Sequence, residues 1–188
     1  TLLKEAADGV LRTSMELGGN APFVVLADAD VEQAVAGAMP AKFRNNGEAC
    51  TAANRFYVHE SIVEEFTSKL VAEVEKLVVG PGMDQATTLG PLIDDDAVAK
   101  VKELVDDAVE KGAKVLTGGA PVDGPGHFFQ PTVLADVPRT ARLLREEIFG
   151  PVAPIVTVDS DDEAIKLANE TEFGLMAYVY SRDISRVV

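Results

Sequence analysis

Residues 23–43 read Phe23-Val24-Val25-Leu26, then Asp28-Ala29-Asp30, then a helical spacing of apolar residues from Val31 to Phe43. Four apolar residues in a row read as a buried strand. Asp28 to Asp30 offer side-chain caps for the helix that follows. Pro40 lies inside that helix; it lacks an N–H and crowds the turn before it, so a kink or an end is expected there. The same strand-and-helix unit recurs downstream. Arg55 to Val58 reads as a strand, and Ser61 with Glu64 has the spacing of a capping box. Ile62, Phe66, Leu70, Val74 and Leu77 then share one helical face, and Gly80-Pro81-Gly82 should end that helix. After Asp94 a third helix turns Val98, Val101, Val105 and Ala108 inward, with Lys111 at its negative end and Gly112 beyond it. Lys114 to Thr117, Thr132 to Leu134, Pro154 to Val158 and Leu175 to Tyr180 read as further strands, and Gly118 to Gly126 as turns. Ser160 with Glu163 suggests a second capping box, opening a helix to about Asn169, and another helix begins within Ser181 to Val188. Strands alternating with amphipathic helices predict an α/β fold, a three-layer domain with a largely parallel sheet flanked by helices.

The composition narrows the function classes. The chain has 188 residues, 47% of them hydrophobic and 26% charged, the balance of a folded globular domain. Its net charge is −14, from 17 basic and 31 acidic residues. Such a surface repels a phosphate backbone, so a nucleic-acid partner is not expected; the acidity itself serves solubility. No apolar run approaches the roughly 20 residues of a membrane span. One cysteine, Cys50, excludes an internal disulfide and cysteine-rich zinc sites, and two histidines make a metal cage an unpromising reading. A free thiol suits a reducing compartment, so a cytoplasmic location is expected. The chain lacks an initiating Met and ends within a predicted helix, which leads us to expect a piece of a longer protein.

Four segments hold the chemistry: Glu16 to Pro22, Phe43 to Cys50, Glu146 to Pro151, and Asn169 to Leu175. Cys50 stands among polar residues and glycine, a setting that suits a nucleophile on a loop, although a buried, inert thiol is equally a reading of one cysteine. Glu16 precedes Gly18-Gly19, where absent side chains let a ligand or backbone come close; it is a candidate base or a plain surface carboxylate. No G-x-G-x-x-G is present, so no phosphate-binding loop of that kind is expected in this chain.

These segments resemble the aldehyde dehydrogenase superfamily. Glu16-Leu17-Gly18-Gly19-Asn20-Ala21-Pro22 matches its glutamate motif. Phe43 to Arg55 matches its cysteine motif, and Glu146-Glu147-Ile148-Phe149-Gly150-Pro151 its cofactor-ribose motif. Glu16 and Cys50 are 34 positions apart, as in the family, and the match runs end to end. The resemblance implies Cys50 as the nucleophile and Glu16 as the base, its pKa raised by burial. It implies Glu147 as the carboxylate for the nicotinamide ribose, Phe149 beside the nicotinamide, and Lys100 near the adenine ribose, with NAD or NADP as cofactor. Within the superfamily the resemblance is to succinate-semialdehyde dehydrogenases, on Glu16 to Phe23, Lys42-Phe43-Arg44-Asn45, and Asn169 to Leu175 with Tyr178 to Asp183. Arg44 then corresponds to an arginine that binds the distal carboxylate of the substrate, a task suited to a guanidinium fork; otherwise it is a helix-end cation. Ala52 stands where some relatives carry a second cysteine, so a disulfide switch there is not expected. The family enzyme is longer, so residues 1–188 are expected to form its catalytic domain alone, inactive by itself, from a parent that forms homo-oligomers. Another aldehyde, such as glutarate semialdehyde or an aliphatic one, and a catalytically silent binding or assembly domain are the competing readings.

Overall fold

The computed structural model describes residues 1–187. Six strands form one sheet in the order β3-β4-β5-β2-β1-β6. They are β1 (Ala21–Val25), β2 (Ala53–His59), β3 (Lys114–Thr117), β4 (Thr132–Ala135), β5 (Val152–Val158) and β6 (Tyr178–Tyr180). Every neighbouring pair is parallel except β3 with β4. Helices α2 (Val31–Phe43) and α3 (Val63–Val74) cover one face, and α4 (Asp95–Glu110) and α5 (Asp161–Asn169) the other. The alternation of strand side chains divides the core accordingly. Phe23 and Val25 join the α2 and α3 side, where the Phe23 ring lies 4.9 Å from Phe56 and 5.0 Å from Tyr180. Val24 and Leu26 join the α4 and α5 side. The three-layer, largely parallel α/β architecture is the expected one. Among the described residues no helix is long and apolar enough to cross a membrane.

Several local expectations give way to packing. Helix α2 begins as read, with the Asp30 carboxylate accepting from the Gln33 N–H, but it runs through Pro40 to Phe43. Lys42 and Phe43, both buried, pin its last turn. The Ser61–Glu64 box does not form: Ser61 turns to His59 Nδ1 and α3 starts at Val63 without a side-chain cap. Helix α3 ends at Val74, short of Gly80, because Val78 and Val79 leave to pair with Thr88 and Leu89. At α5 the Ser160 hydroxyl accepts from the Glu163 N–H, while the Glu163 carboxylate returns to the Asp159 N–H, one residue earlier than a capping box requires. Strand β6 is confined to Tyr178–Tyr180, since Leu175 packs beside Gly19. The helix expected from Ser181 is a single 3-10 turn, Ile184–Arg186; Val188 lies outside the described residues. A first helix, α1 (Leu2–Asp8), buries only Ala6 and carried no clear periodic signal.

Candidate active site

Gly18-Gly19 is where three distant segments meet. A Cβ on Gly19 would lie 1.9 Å from the Cys50 carbonyl oxygen, and one on Gly18 would lie 2.8 Å from Glu147 Oε2. The Gly19 N–H donates to Glu147 Oε1 at 2.8 Å, across 128 positions of sequence. Any side chain at Gly19 would push the cysteine loop away, which is the physical reason for glycine there. Phe173 and Leu175, from the fourth segment, close around the same pair.

The loop that carries Cys50 is tightly specified. Asn45, Asn46 and Gly47 have φ of 51°, 57° and 73°, three successive left-handed residues after α2. Asparagine tolerates that region because its short side chain bonds locally, as Asn45 Nδ2 does to the Glu48 carbonyl at 2.8 Å; Asn46 Nδ2 instead reaches the distant Pro91 carbonyl at 2.6 Å. Gly47 packs on the Gly150 carbonyl, 2.3 Å from where a Cβ would sit, so the cysteine loop rests on the loop bearing Glu147. The Glu48 carboxylate accepts from the Ile93 N–H at 3.1 Å, and burial pushes its pKa up. From β6, the Tyr178 hydroxyl donates to the Thr51 carbonyl at 2.9 Å. The Cys50 thiol is free and half-buried.

The two adjacent glutamates take different roles. Glu146 is gripped by Arg142, whose Nε and Nη2 donate to it at 2.7 and 3.1 Å, holding its carboxyl below the usual range. Glu147 is turned to Gly18-Gly19 instead. A carboxylate with one oxygen on a backbone amide retains acceptor capacity for a pair of sugar hydroxyls. Phe149, two residues on, has φ 52° and is 36% exposed. These residues therefore fit the nicotinamide-ribose end of a dinucleotide. Lys100 is exposed on α4 and its charge acts on Glu146. Arg44 is exposed as well, and it lines a cavity of about 340 Å³ together with Ala49, Thr51 and Ala52 on either side of Cys50. Glu16 is exposed, so the burial expected of it is not provided by residues 1–187.

Three further residues, quoted above only as parts of motifs, build the site. Lys42, fully buried, donates through Nζ to Asn54 Oδ1 at 2.8 Å. Arg55, also fully buried, donates to the carbonyls of Asn20, Leu167 and Ala168 at 2.9, 3.1 and 3.0 Å. It ties the glutamate segment to the start of the Asn169–Leu175 segment. A charge inside the apolar strand Arg55–Val58 was the available signal. Lys42, although within the Lys42–Asn45 motif, gave no local sign of burial, since a lysine in the last turn of a helix is an ordinary solvent-facing cation. Tyr178, which donates to the Thr51 carbonyl, is the third.

Known proteins are similar to this chain in sequence and fold. The chain is 59% identical over 187 residues to a succinate-semialdehyde dehydrogenase of Paenarthrobacter nicotinovorans, covering 100% of the chain and 42% of that protein. It is 52% identical over 186 residues to a glutarate-semialdehyde dehydrogenase of Pseudomonas putida, covering 99% of the chain and 38% of that protein. The structure of a succinate-semialdehyde dehydrogenase from Burkholderia pseudomallei superposes with a TM-score of 0.96 at 49% identity, over 99% of the chain and 39% of that structure. The chain thus spans about two fifths of the length of these relatives. The family model described as "Aldehyde dehydrogenase family" matches residues 1–188, and the chain belongs to the aldehyde dehydrogenase family.

Proposed function

We propose that residues 1–188 form the catalytic domain of a longer NAD- or NADP-dependent dehydrogenase that oxidises succinate semialdehyde to succinate. The packing of Gly19 on the Cys50 carbonyl, with Glu147 on the Gly19 amide, carries this reading, because it gathers nucleophile, glutamate segment and ribose carboxylate at one point. The aldehyde substrate, the reducing cytoplasmic setting that suits a free thiol, and a homo-oligomeric parent are parts of the same proposal.

Cys50 Sγ, as thiolate, attacks the aldehyde carbon; the C–S bond forms and the carbonyl electron pair moves onto oxygen. The Cys50 backbone N–H donates to that oxyanion. Glu147 would hold the nicotinamide ribose by its hydroxyls, with Phe149 at the nicotinamide side, and the bound cofactor would supply the hydride acceptor. The oxyanion pair re-forms the carbonyl as the C–H bond breaks and hydride leaves for that acceptor, so a thioester remains on Cys50. Glu16, whose exposure gives it access to water, then takes a proton from the attacking water. The new C–O bond forms, the C–S bond breaks, and the sulfur keeps the electron pair. Arg44 pairs with the distal carboxylate from the cavity it shares with the neighbours of Cys50.

The test is substrate-selective. A charged hydrogen bond contributes about 1.5–3 kcal/mol, so Arg44→Ala in the full-length enzyme should lower kcat/KM for succinate semialdehyde by about 10- to 150-fold. Oxidation of butanal, which has no carboxylate, should stay near the parent rate. An equal fall for both substrates would make Arg44 structural. Glutarate semialdehyde is the second reading, favoured by the Pseudomonas putida relative; a higher kcat/KM for it than for succinate semialdehyde would establish it. A silent binding domain is disfavoured by the retention of both Cys50 and Glu16, and aldehyde-dependent turnover by the full-length enzyme would dismiss it.

A further inference from the structure

The cavity that holds Arg44 contains a second polar group, the Tyr180 hydroxyl, which the reaction above does not use. One wall of the cavity is α2 from Gly37 to Arg44. Tyr178 and Tyr180 of β6 form the opposite wall, and Ala49 and Thr51 lie at the end beside Cys50. The two tyrosines are two apart on one strand, and both pack on the α2 side of the sheet. Their hydroxyls are used differently. That of Tyr178 donates to the Thr51 carbonyl at 2.9 Å. That of Tyr180 is half-buried and has no hydrogen-bond partner among the described residues. Burial, with Tyr178 beside it, pushes its pKa up, so it stays protonated and able to donate.

The Tyr180 phenol is fixed in place. Its ring stacks on Phe23 with centroids 5.0 Å apart. Its hydroxyl lies over Gly37, where any Cβ would collide with it. Glycine weakens the interior of a helix, and its place within α2 is accounted for by the room it leaves for that phenol. A phenylalanine would fill the same stack on Phe23, so packing alone does not call for the oxygen.

The position of the hydroxyl sets what it can reach. The cysteine loop follows the C-terminal end of α2, so depth along that helix is distance from Cys50. Gly37 precedes Arg44 by seven positions, two turns or roughly 10 Å deeper. The strand register agrees: Tyr178 is level with Phe23 and Tyr180 with Val25, farther from the start of β2 where the cysteine loop enters. A carboxylate on a longer chain attached at Cys50 is therefore carried past Arg44 toward Tyr180.

We propose that Tyr180 is a specificity-determining residue: its hydroxyl is a second donor to the distal carboxylate of the substrate, set deeper than Arg44, and it serves the semialdehyde one methylene longer, glutarate semialdehyde. This rests on the dehydrogenase reading above. The contact is remote from the reacting carbon and is made alike in bound substrate and transition state. Its loss therefore falls on KM and leaves kcat in place.

The experiment is steady-state oxidation by the full-length enzyme and its Tyr180→Phe variant. Each acid is set against the neutral aldehyde of equal length: glutarate semialdehyde against pentanal, succinate semialdehyde against butanal. The kcat/KM ratio of glutarate semialdehyde to pentanal should fall by about tenfold or more, through KM, the size of one hydrogen bond to a charged group. The ratio of succinate semialdehyde to butanal should fall less. An unchanged ratio for glutarate semialdehyde overturns the role of Tyr180, as does an equal loss for acids and neutral aldehydes, which would make the residue structural. An equal fall in both acid ratios overturns the assignment to the longer chain. The parent enzyme supplies a check that needs no variant to fold: glutarate semialdehyde should have a lower KM than pentanal, and equal values overturn the proposal. A full-length enzyme that oxidises aldehydes with any of these contrary patterns overturns the role of Tyr180 alone. One that oxidises no aldehyde overturns the dehydrogenase reading and this proposal with it.

Discussion

Full-length enzyme carrying Cys50→Ala is expected to show no aldehyde-dependent reduction of NAD or NADP, because alanine offers no sulfur to form the thiohemiacetal. The loop itself should survive the change. Its left-handed turn is held by Asn45, Asn46 and Gly47, and its exit by Tyr178, none of which contacts the thiol through a hydrogen bond. Cofactor binding should accordingly persist in the inactive variant, separating lost chemistry from lost structure. Glu16→Gln makes the complementary case. It preserves shape and removes the base, so the first turnover should proceed and deacylation should slow, by about 10²- to 10⁴-fold for a general base. Stopped-flow absorbance should then show a burst of reduced cofactor ahead of a slow steady state. An unchanged steady-state rate without a burst would move the role of base to another group.

The second large effect is on stability. Arg55→Leu should destabilise the fold by about 2–5 kcal/mol, the cost of leaving buried carbonyls without a donor at about 1–3 kcal/mol each. The arginine is fully buried and serves three carbonyls, those of Asn20, Leu167 and Ala168; leucine would withdraw this donor from all three, with the Leu167 carbonyl keeping the Glu170 N–H. Arg55→Lys should not restore the loss, since a single ammonium on a flexible stem cannot span three carbonyls that a planar fork reaches at once. Urea denaturation followed by circular dichroism would measure both. A loss below about 1 kcal/mol would mean that water replaces the guanidinium.

The layered parallel fold was legible because it depends on local periodicity. Val24 and Leu26 face one helix layer and Phe23 and Val25 the other, as a continuous apolar strand requires. Helix starts at Asp30 and Asp94 were legible for the same reason, since a cap is a contact between residues three apart. Ser61 failed as a cap because His59 offered its hydroxyl a nearer partner. Pro40 failed to end its helix because burial of Lys42 and Phe43 outweighs one missing N–H.

The sequence by itself determined the α/β class, the segments around Glu16, Cys50 and Glu147, and the resemblance that ties them to one family. Those are properties of near neighbours and of motif spacing. Only the tertiary structure decided which of two adjacent glutamates meets Gly19, for that depends on Arg142 capturing the other. It alone decided that Lys42 is buried and that Arg55 is a clamp, whereas Arg44 and Lys100 stay exposed. Desolvation and long-range hydrogen bonds are set by what packs from elsewhere in the chain, as with the 128 positions between Gly19 and Glu147, and no local pattern encodes them.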